Sequence, residues 1–385
     1  MIPYGKQSID RKDIEAVIDV LKSDFITQGT QVPKFEDIVS NYVNSKFSVA
    51  VNSGTSALHI ACLALGLKPG DTVWTVPNTF VASANCALYC GAKVDFVDIH
   101  NSSFNIDISA LESKLKNAKD QSSLPKILIP VHFSGQPTAQ EDLWKLSKEY
   151  GFKIIEDATH SIGASRNGEK VGSCKWSDIT IFSFHPVKII TTAEGGMALT
   201  NDRKIASNLR LYRSHGIVRE NDSLEIKDKG PWYYEQQFLG YNYRMTELSA
   251  ALGIRQMEKI DKFVRKRNEL AERYEAQLEN LPLVTPKLEK GNYSSWHLYV
   301  IRVDLNEVKL SYKSLFEALR EEEIGVNLHY LPVHLQPYYK KMGFKEGDFP
   351  NAELHASSSI SIPIYPEMTV KQQDYVIKTL DKILK

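Results

Sequence analysis

An α/β fold is predicted for this chain, with a mostly parallel sheet in a large domain and a smaller α+β domain after it. Three observations lead there. Short β-branched runs alternate with amphipathic stretches of helical length between residue 48 and about residue 200. Gly66, Gly91 and Gly151 fall where those helices should stop. The texture then changes near residue 220, and a second strand and helix series follows a long charged helical stretch.

The first strand is "SVAVNS" (48–53), followed by the helical pattern "TSALHIACLAL" (55–65). "TVWTVP" (72–77), "KVDFVDI" (93–99) and "KILIPVHF" (126–133) come next, then the helix "AQEDLWKLSKEYG" (139–151). "KIIEDAT" (153–159) and "ITIFSF" (179–184) complete the series. Runs this apolar are strands covered on both faces, which is the habit of parallel sheets. The stretch "NDSLEIKDKGPWYYEQQ" is polar and irregular. Residues 245–280 have helical spacing with heavy charge and are stopped by Leu281-Pro282, so they read as a connecting helix. "WHLYVIRVD" (296–304), a helix near 311–323 and "GVNLHYLPVH" (325–334) then make the smaller domain. The expected division is a large domain over 1–245, the connecting helix over 246–280 and a small domain over 281–385.

Composition removes several function classes. Lys+Arg and Asp+Glu both total 47, so the net charge is zero and nothing favours a nucleic-acid partner held by overall charge. No window approaches the roughly 18 uncharged apolar residues of a membrane helix, and the start "MIPYGKQSID" is polar at once. Cys62, Cys86, Cys90 and Cys174 are too few for a disulfide framework. Cys86 and Cys90 sit four apart on an apolar stretch and read as buried thiols rather than a metal site. These features together predict a reduced, cytoplasmic protein.

Three strand ends carry the chemistry. In Asn52-Ser53-Gly54-Thr55-Ser56 a strand runs straight into a helix, with small residues and hydroxyls around open N–H groups. That is a phosphate cradle or an ordinary helix cap. Glu156 and Asp157 close an apolar strand, with His160 three residues on. An acid there faces the crevice where α/β proteins bind ligands, or caps the next helix. Lys188 follows the next strand, thirty-one residues after Asp157. A phosphate cradle, a carboxylate and a strand-end amine are the fixtures that pyridoxal phosphate needs. The amine takes up the aldehyde, the acid keeps the ring nitrogen protonated, and the helix start holds the phosphate. Phe80, after another strand end, reads as a stacking ring or a core aromatic.

"NSGTSALH", "VPNTFVASANC", "IIEDATHSIGA", "FSFHPVKIITTAEGGM", "RSHGI" and "GYNYRMTELSAALGIRQMEKID" resemble the DegT/DnrJ/EryC1/StrS family of sugar aminotransferases, and the resemblance runs from "YGKQSID" to "IPIYPEMT". It implies a fold-type I enzyme with a seven-stranded sheet, bound to pyridoxal 5'-phosphate. It makes Lys188 the covalent lysine and proton shuttle, Asp157 the partner of the ring nitrogen, and His160 its ring-side neighbour. Gly54, Thr55, Ser56 and Ser183 then hold the phosphate, and Phe80 stacks on the ring. Asn242 is implied to reach into the other subunit's site of a homodimer. Tyr4 with Gly5, the segment Phe25, Ile26, Thr27 and Gln28, and Asn327, Leu328, His329 and Tyr330 resemble nucleotide-sugar contacts. Ala193, "DFITQG" (24–29) and "NLHYLPVHLQPYY" (327–339) favour the branch of pseudaminic acid biosynthesis, which acts on a UDP-4-keto-6-deoxy-N-acetyl-hexosamine with L-glutamate as amine donor. Relatives acting on other keto sugars usually carry glycine where Ala193 stands. Relatives that dehydrate sugars replace the lysine by histidine, and Lys188 argues against that chemistry.

Other charged residues keep two readings. Arg210, Arg213 and His215 bind an anion or cover a solvated helix face, and Arg244 meets a diphosphate or pairs with Glu247. The charges of "KFVRKRNEL" read as solvated helix surface.

Overall fold

A computed structural model describes residues 1–385 apart from Asn221, Ser223 and Asp228. Its central sheet has seven strands: β1 (Phe47–Val51), β2 (Thr72–Thr75), β3 (Lys93–Phe96), β4 (Ile127–Ile129), β5 (Lys153–Asp157), β6 (Ile179–Ser183) and β7 (Gly196–Thr200). They lie in the order β1-β7-β6-β5-β4-β2-β3. The run from β6 to β3 is parallel throughout, and β7 is antiparallel to both β1 and β6.

Successive residues along these strands enter different cores, as the two-residue period of a strand demands. Ile129, Ile155 and Ile181 pack with Leu58, Cys62 and Leu209, from helices Gly54–Ala64 and Arg203–Arg213. Leu128 and Ile154 turn to the other face and meet Leu111 and Leu143 of helices Ile108–Asp120 and Gln140–Tyr150. Phe182 meets Phe35 and Ile254 of helices Gln31–Val43 and Glu247–Met257. Helices on both faces explain why apolar residues occupy successive positions in strands such as β4 and the middle of β5.

A second core surrounds the three-stranded antiparallel sheet of Leu283–Val284, Tyr299–Val303 and Ser359–Ile362. Helices Tyr312–Glu321 and Val370–Leu384 and the end of helix Ile260–Leu278 pack on it.

Several expectations change. The single helix expected over 246–280 is two helices, Glu247–Met257 and Ile260–Leu278. Between them the Lys259 N–H turns to the Gln256 carbonyl, and its amine reaches Asp10 at 3.0 Å and Asp13 at 2.5 Å. The stretch 325–334 forms no strand beyond one bridge, Asn327 to Ser361, and instead crosses to the large sheet, where the Val333 N–H donates to the Pro77 carbonyl at 2.9 Å. The first residues do not stay with the large unit. Ile2 bridges Ile324, and the Ile364 N–H donates to the Tyr4 carbonyl at 3.1 Å. The irregular stretch from 221 includes the three residues outside the description; within it, Glu235–Gln236 pairs with Ile217–Val218.

Candidate active site

Asp157 ends β5, and its strand partner Ile181 lies two residues before Ser183, the last residue of β6. Parallel pairing therefore puts both at the same edge of the sheet, and Lys188 follows on the loop leaving β6. Asp157 is buried. Its Oδ2 accepts from Ser83 Oγ at 2.6 Å and its Oδ1 from the Thr159 N–H at 3.2 Å. Ser83 in turn pairs with Thr79 Oγ1 at 2.8 Å. Sequence reading passed over both residues, because a serine inside the apolar helix Ala82–Tyr89 has no signature until its partner is seen.

The loop after β6 is closed at its neck by Phe184 N–H to Gly195 and Thr192 N–H to Phe184, both at 2.9 Å. Within it Ala193 adopts φ 66, a left-handed conformation that glycine takes without penalty. Thr191 holds it there, with Oγ1 accepting from the Ala193 N–H at 3.0 Å. The Lys188 amine has no hydrogen-bond or ion-pair partner among the described residues. Burial holds its pKa down to about 8, while the charge of Asp157 pulls it up. A lysine so placed is a free amine about a tenth of the time at pH 7, far more often than an exposed lysine.

The cradle forms at the start of helix Gly54–Ala64. Ser53 Oγ caps the Ser56 N–H at 3.1 Å, and Ser56 Oγ donates to Asn52 Oδ1 at 2.7 Å. The Gly54 and Thr55 N–H groups lie in the first turn, where no intrahelical acceptor exists. Ser183 closes the back: a Cβ on Gly54 would stand 3.0 Å from Ser183 Cβ. Gly196 of β7 presses still closer, since a Cβ there would overlap the Ser53 carbonyl. These donors, the buried Asp157 and the depressed Lys188 amine fit an anionic, aldehyde-bearing pyridine cofactor.

Around this floor stands an aromatic wall. His160 is buried, its Nδ1 accepts from the Ser134 N–H at 3.3 Å, and its Nε2 lies 3.1 Å from Tyr330 Oη. Burial, followed by the charge of Lys188, pushes its pKa well below the ordinary value. The Tyr330 ring centre is 6.4 Å from that of Phe80, which is largely exposed, and the Tyr4 ring centre is 5.4 Å from that of His329. His329 Nδ1 pairs with Ser361 Oγ at 2.7 Å, and the Leu328 N–H bonds back to Asn327 Oδ1 at 2.9 Å. Gly5 faces Val187, beside Lys188. Tyr4 thus stands against the 327–330 segment, Gly5 against the loop of Lys188, and Tyr330 against His160.

Other singled-out residues lie elsewhere. Phe25, Ile26, Thr27 and Gln28 are exposed, and the Glu247 N–H donates to the Ile26 carbonyl at 3.1 Å. No hydrogen bond or ring contact joins them to Lys188, Asp157 or Tyr330 among the described residues. Asn242 is exposed and bridges Ser214 through its backbone. Arg213 is neither a free anion ligand nor solvated: it pairs with Glu36 at 2.6 Å and donates to the Ala50 carbonyl. Glu247 does not pair with Arg244, because its carboxylate accepts from the Gln31 and Val32 N–H groups. Arg267 departs from the solvated surface expected of "KFVRKRNEL". It is fully buried and donates to the carbonyls of Trp296, His297 and Ile364 at 3.0, 3.2 and 3.0 Å. The four cysteines are buried and unlinked. No described helix is long and apolar enough to cross a membrane.

A parallel α/β sheet that offers a depressed lysine amine, a buried acid and an anion cradle at one edge defines a pyridoxal-phosphate-dependent enzyme. The family model described as the DegT/DnrJ/EryC1/StrS aminotransferase family matches residues 7–381, and the chain belongs to that family. It is 40% identical over 385 residues to the UDP-4-amino-4,6-dideoxy-N-acetyl-beta-L-altrosamine transaminase of Campylobacter jejuni, covering 100% of this chain and 98% of that one. Among solved structures it is similar to Helicobacter pylori PseC, an aminotransferase involved in the biosynthesis of pseudoaminic acid, with TM-score 0.89 and 29% identity over 100% of this chain and 99% of that one. The PLP-form of the putative sugar aminotransferase Spr1654 of Streptococcus pneumoniae gives TM-score 0.88 and 26% identity, covering 100% of both chains.

Proposed function

We propose that this aminotransferase moves an amino group from L-glutamate to C4 of UDP-2-acetamido-2,6-dideoxy-beta-L-arabino-hex-4-ulose, a UDP-4-keto-6-deoxy-N-acetyl-hexosamine, in pseudaminic acid biosynthesis. The observation that carries the chemistry is the Lys188 amine, held at about 8 beside Asp157. The sugar is inferred from the 40% identical transaminase, whose name specifies the aminated product.

Pyridoxal phosphate, when bound, supplies the electron sink that lets a C–H bond next to nitrogen break. The Gly54 and Thr55 N–H groups with the Ser56 and Ser183 hydroxyls bind its phosphate. Asp157, steadied by Ser83 and Thr159, holds a proton at the ring nitrogen. Phe80 would cover one face of the cofactor ring, and His160 would stand at the ring's side. Lys188 anchors the cofactor, then takes a proton from the donor's α-carbon and returns one at C4 of the sugar. Tyr4, Gly5 and Asn327 to Tyr330 orient the sugar in the cleft. Phe25 to Gln28 and Asn242, exposed in one chain, complete the site across a homodimer interface in a cytoplasmic enzyme.

The test mixes purified protein, pyridoxal phosphate and glutamate with the UDP-4-keto sugar and with other UDP- and dTDP-keto sugars, and follows product mass. A 4-amino product from the first alone is expected. Amination only of a different keto sugar overturns the substrate, and amination of none overturns the function.

A further inference from the structure

The proton positions beside the cleft follow from the partners of His160. A backbone N–H can only donate, so the 3.3 Å bond from Ser134 requires a lone pair on His160 Nδ1. Ser134 is set up for this contact. It adopts φ 61, and its Oγ donates to the Leu298 carbonyl at 2.6 Å. The His160 backbone is also fixed, its carbonyl accepting from Ser295 Oγ at 2.8 Å. The ring is neutral, held so by burial and by the nearby charge of Lys188. Its one proton is therefore on Nε2.

Nε2 lies 3.1 Å from Tyr330 Oη, so the phenol oxygen accepts there and its own proton points elsewhere. Tyr330 keeps that proton, because burial and the charge of Asp157 oppose its loss. Its backbone is anchored by a 3.0 Å bond from its N–H to the buried Asn78 Oδ1. Among the described residues no protein acceptor takes the hydroxyl proton.

We propose that the Tyr330 hydroxyl donates a hydrogen bond to the keto oxygen of the acceptor, with Ser134 and His160 as positioning residues that turn its proton into the cleft. This rests on the reading of the cleft as a site of amino transfer to a keto sugar. As the C–N bond forms and the C–O bond breaks, the ketone oxygen gains negative character. It leaves as water with two protons brought by the incoming nitrogen. Tyr330 lends a preset donor and ends with its own proton. A fixed donor of this kind in a water-poor site is worth about 10²-fold or more in rate.

Two measurements test it. In the chain without cofactor, ¹⁵N-histidine NMR should show His160 neutral with its proton on Nε2; a proton on Nδ1, or a doubly protonated ring at neutral pH, overturns the relay. In the holoenzyme, Tyr330→Phe should slow reaction of the amino-loaded form with the UDP-4-keto sugar by about 10²-fold, through kcat rather than KM. Loss of the yellow absorbance with glutamate should change far less. Equal slowing of both halves, or of neither, overturns the proposal. A wild-type enzyme that aminates no keto sugar overturns the functional reading instead, and the histidine spectrum still decides the relay.

Discussion

Lys188 works only as a free amine, and its environment sets when it is one. Burial brings it to about 8, so the neutral share grows as pH rises through that value. The rate at which the cofactor-free chain captures pyridoxal phosphate covalently is expected to climb between pH 7 and 9 and then level, as stopped-flow absorbance of the yellow band would register. Lys188→Ala should remove the covalent yellow band and lower turnover by about 10⁴-fold, while circular dichroism stays unchanged. Ser83→Ala leaves one oxygen of buried Asp157 without its donor. A lost buried hydrogen bond of about 1–2 kcal/mol corresponds to roughly tenfold weaker cofactor binding, measurable by titration. Lys188 and Asp157 stood out in the sequence because one follows a strand and the other ends one in a pattern tied to one cofactor. Ser83, Thr79 and Ser134 did not. Their roles depend on contacts with residues far along the chain, as in the Ser83 bond to Asp157, and a lone serine carries no such signal.

At the scale of elements, the parallel strands were legible because each is apolar at successive positions and bounded by a helix. β7 was not. "GMALT" lacks a helix before it, and its direction is set by the closed neck at Phe184 and Gly195. The break at Glu258-Lys259 was also hidden, since the helical spacing continues across it while the acids that draw Lys259 lie at the other end of the chain. β7 has a test of its own. Gly196→Ala would drive a Cβ into the Ser53 carbonyl at the cradle. Overpacking of this kind costs about 1–3 kcal/mol, so a lower melting temperature together with weaker binding of pyridoxal phosphate is expected. Alanine at Gly151, where a Cβ meets nothing within 4 Å but φ is +84, should lower stability without affecting the cofactor.

Across the whole molecule, buried histidines govern the response to acid. The pKa values of His160 and His297 are pushed well down, with burial the largest cause, and those of His329 and His355 to about 3 and about 4. A base whose folded value lies below its unfolded one takes up its proton more readily when the chain unfolds. Stability is therefore full above about pH 6.5 and declines as pH falls below it, by at most ~1.4 kcal/mol per pH unit for each such group. The decline continues towards the folded values of His329 and His355. Urea midpoints measured from pH 7.5 to 5 should fall steadily, and His355→Gln should flatten the curve.

The reversed direction of β7 has a consequence beyond packing. The chain leaves β6 at Ser183 and re-enters the sheet at Gly196, paired directly opposite it. The residues between form a cassette with both ends fastened to one rung, and Ile189 and Ile190 within it pack in the core with Phe182 and Ile254, so an exchange that keeps those two apolar leaves the strands in place. Swapping 185–193 with the same stretch of relatives that act on other sugars offers a compact route to new specificity, with the rest of the enzyme serving as an unchanged chassis.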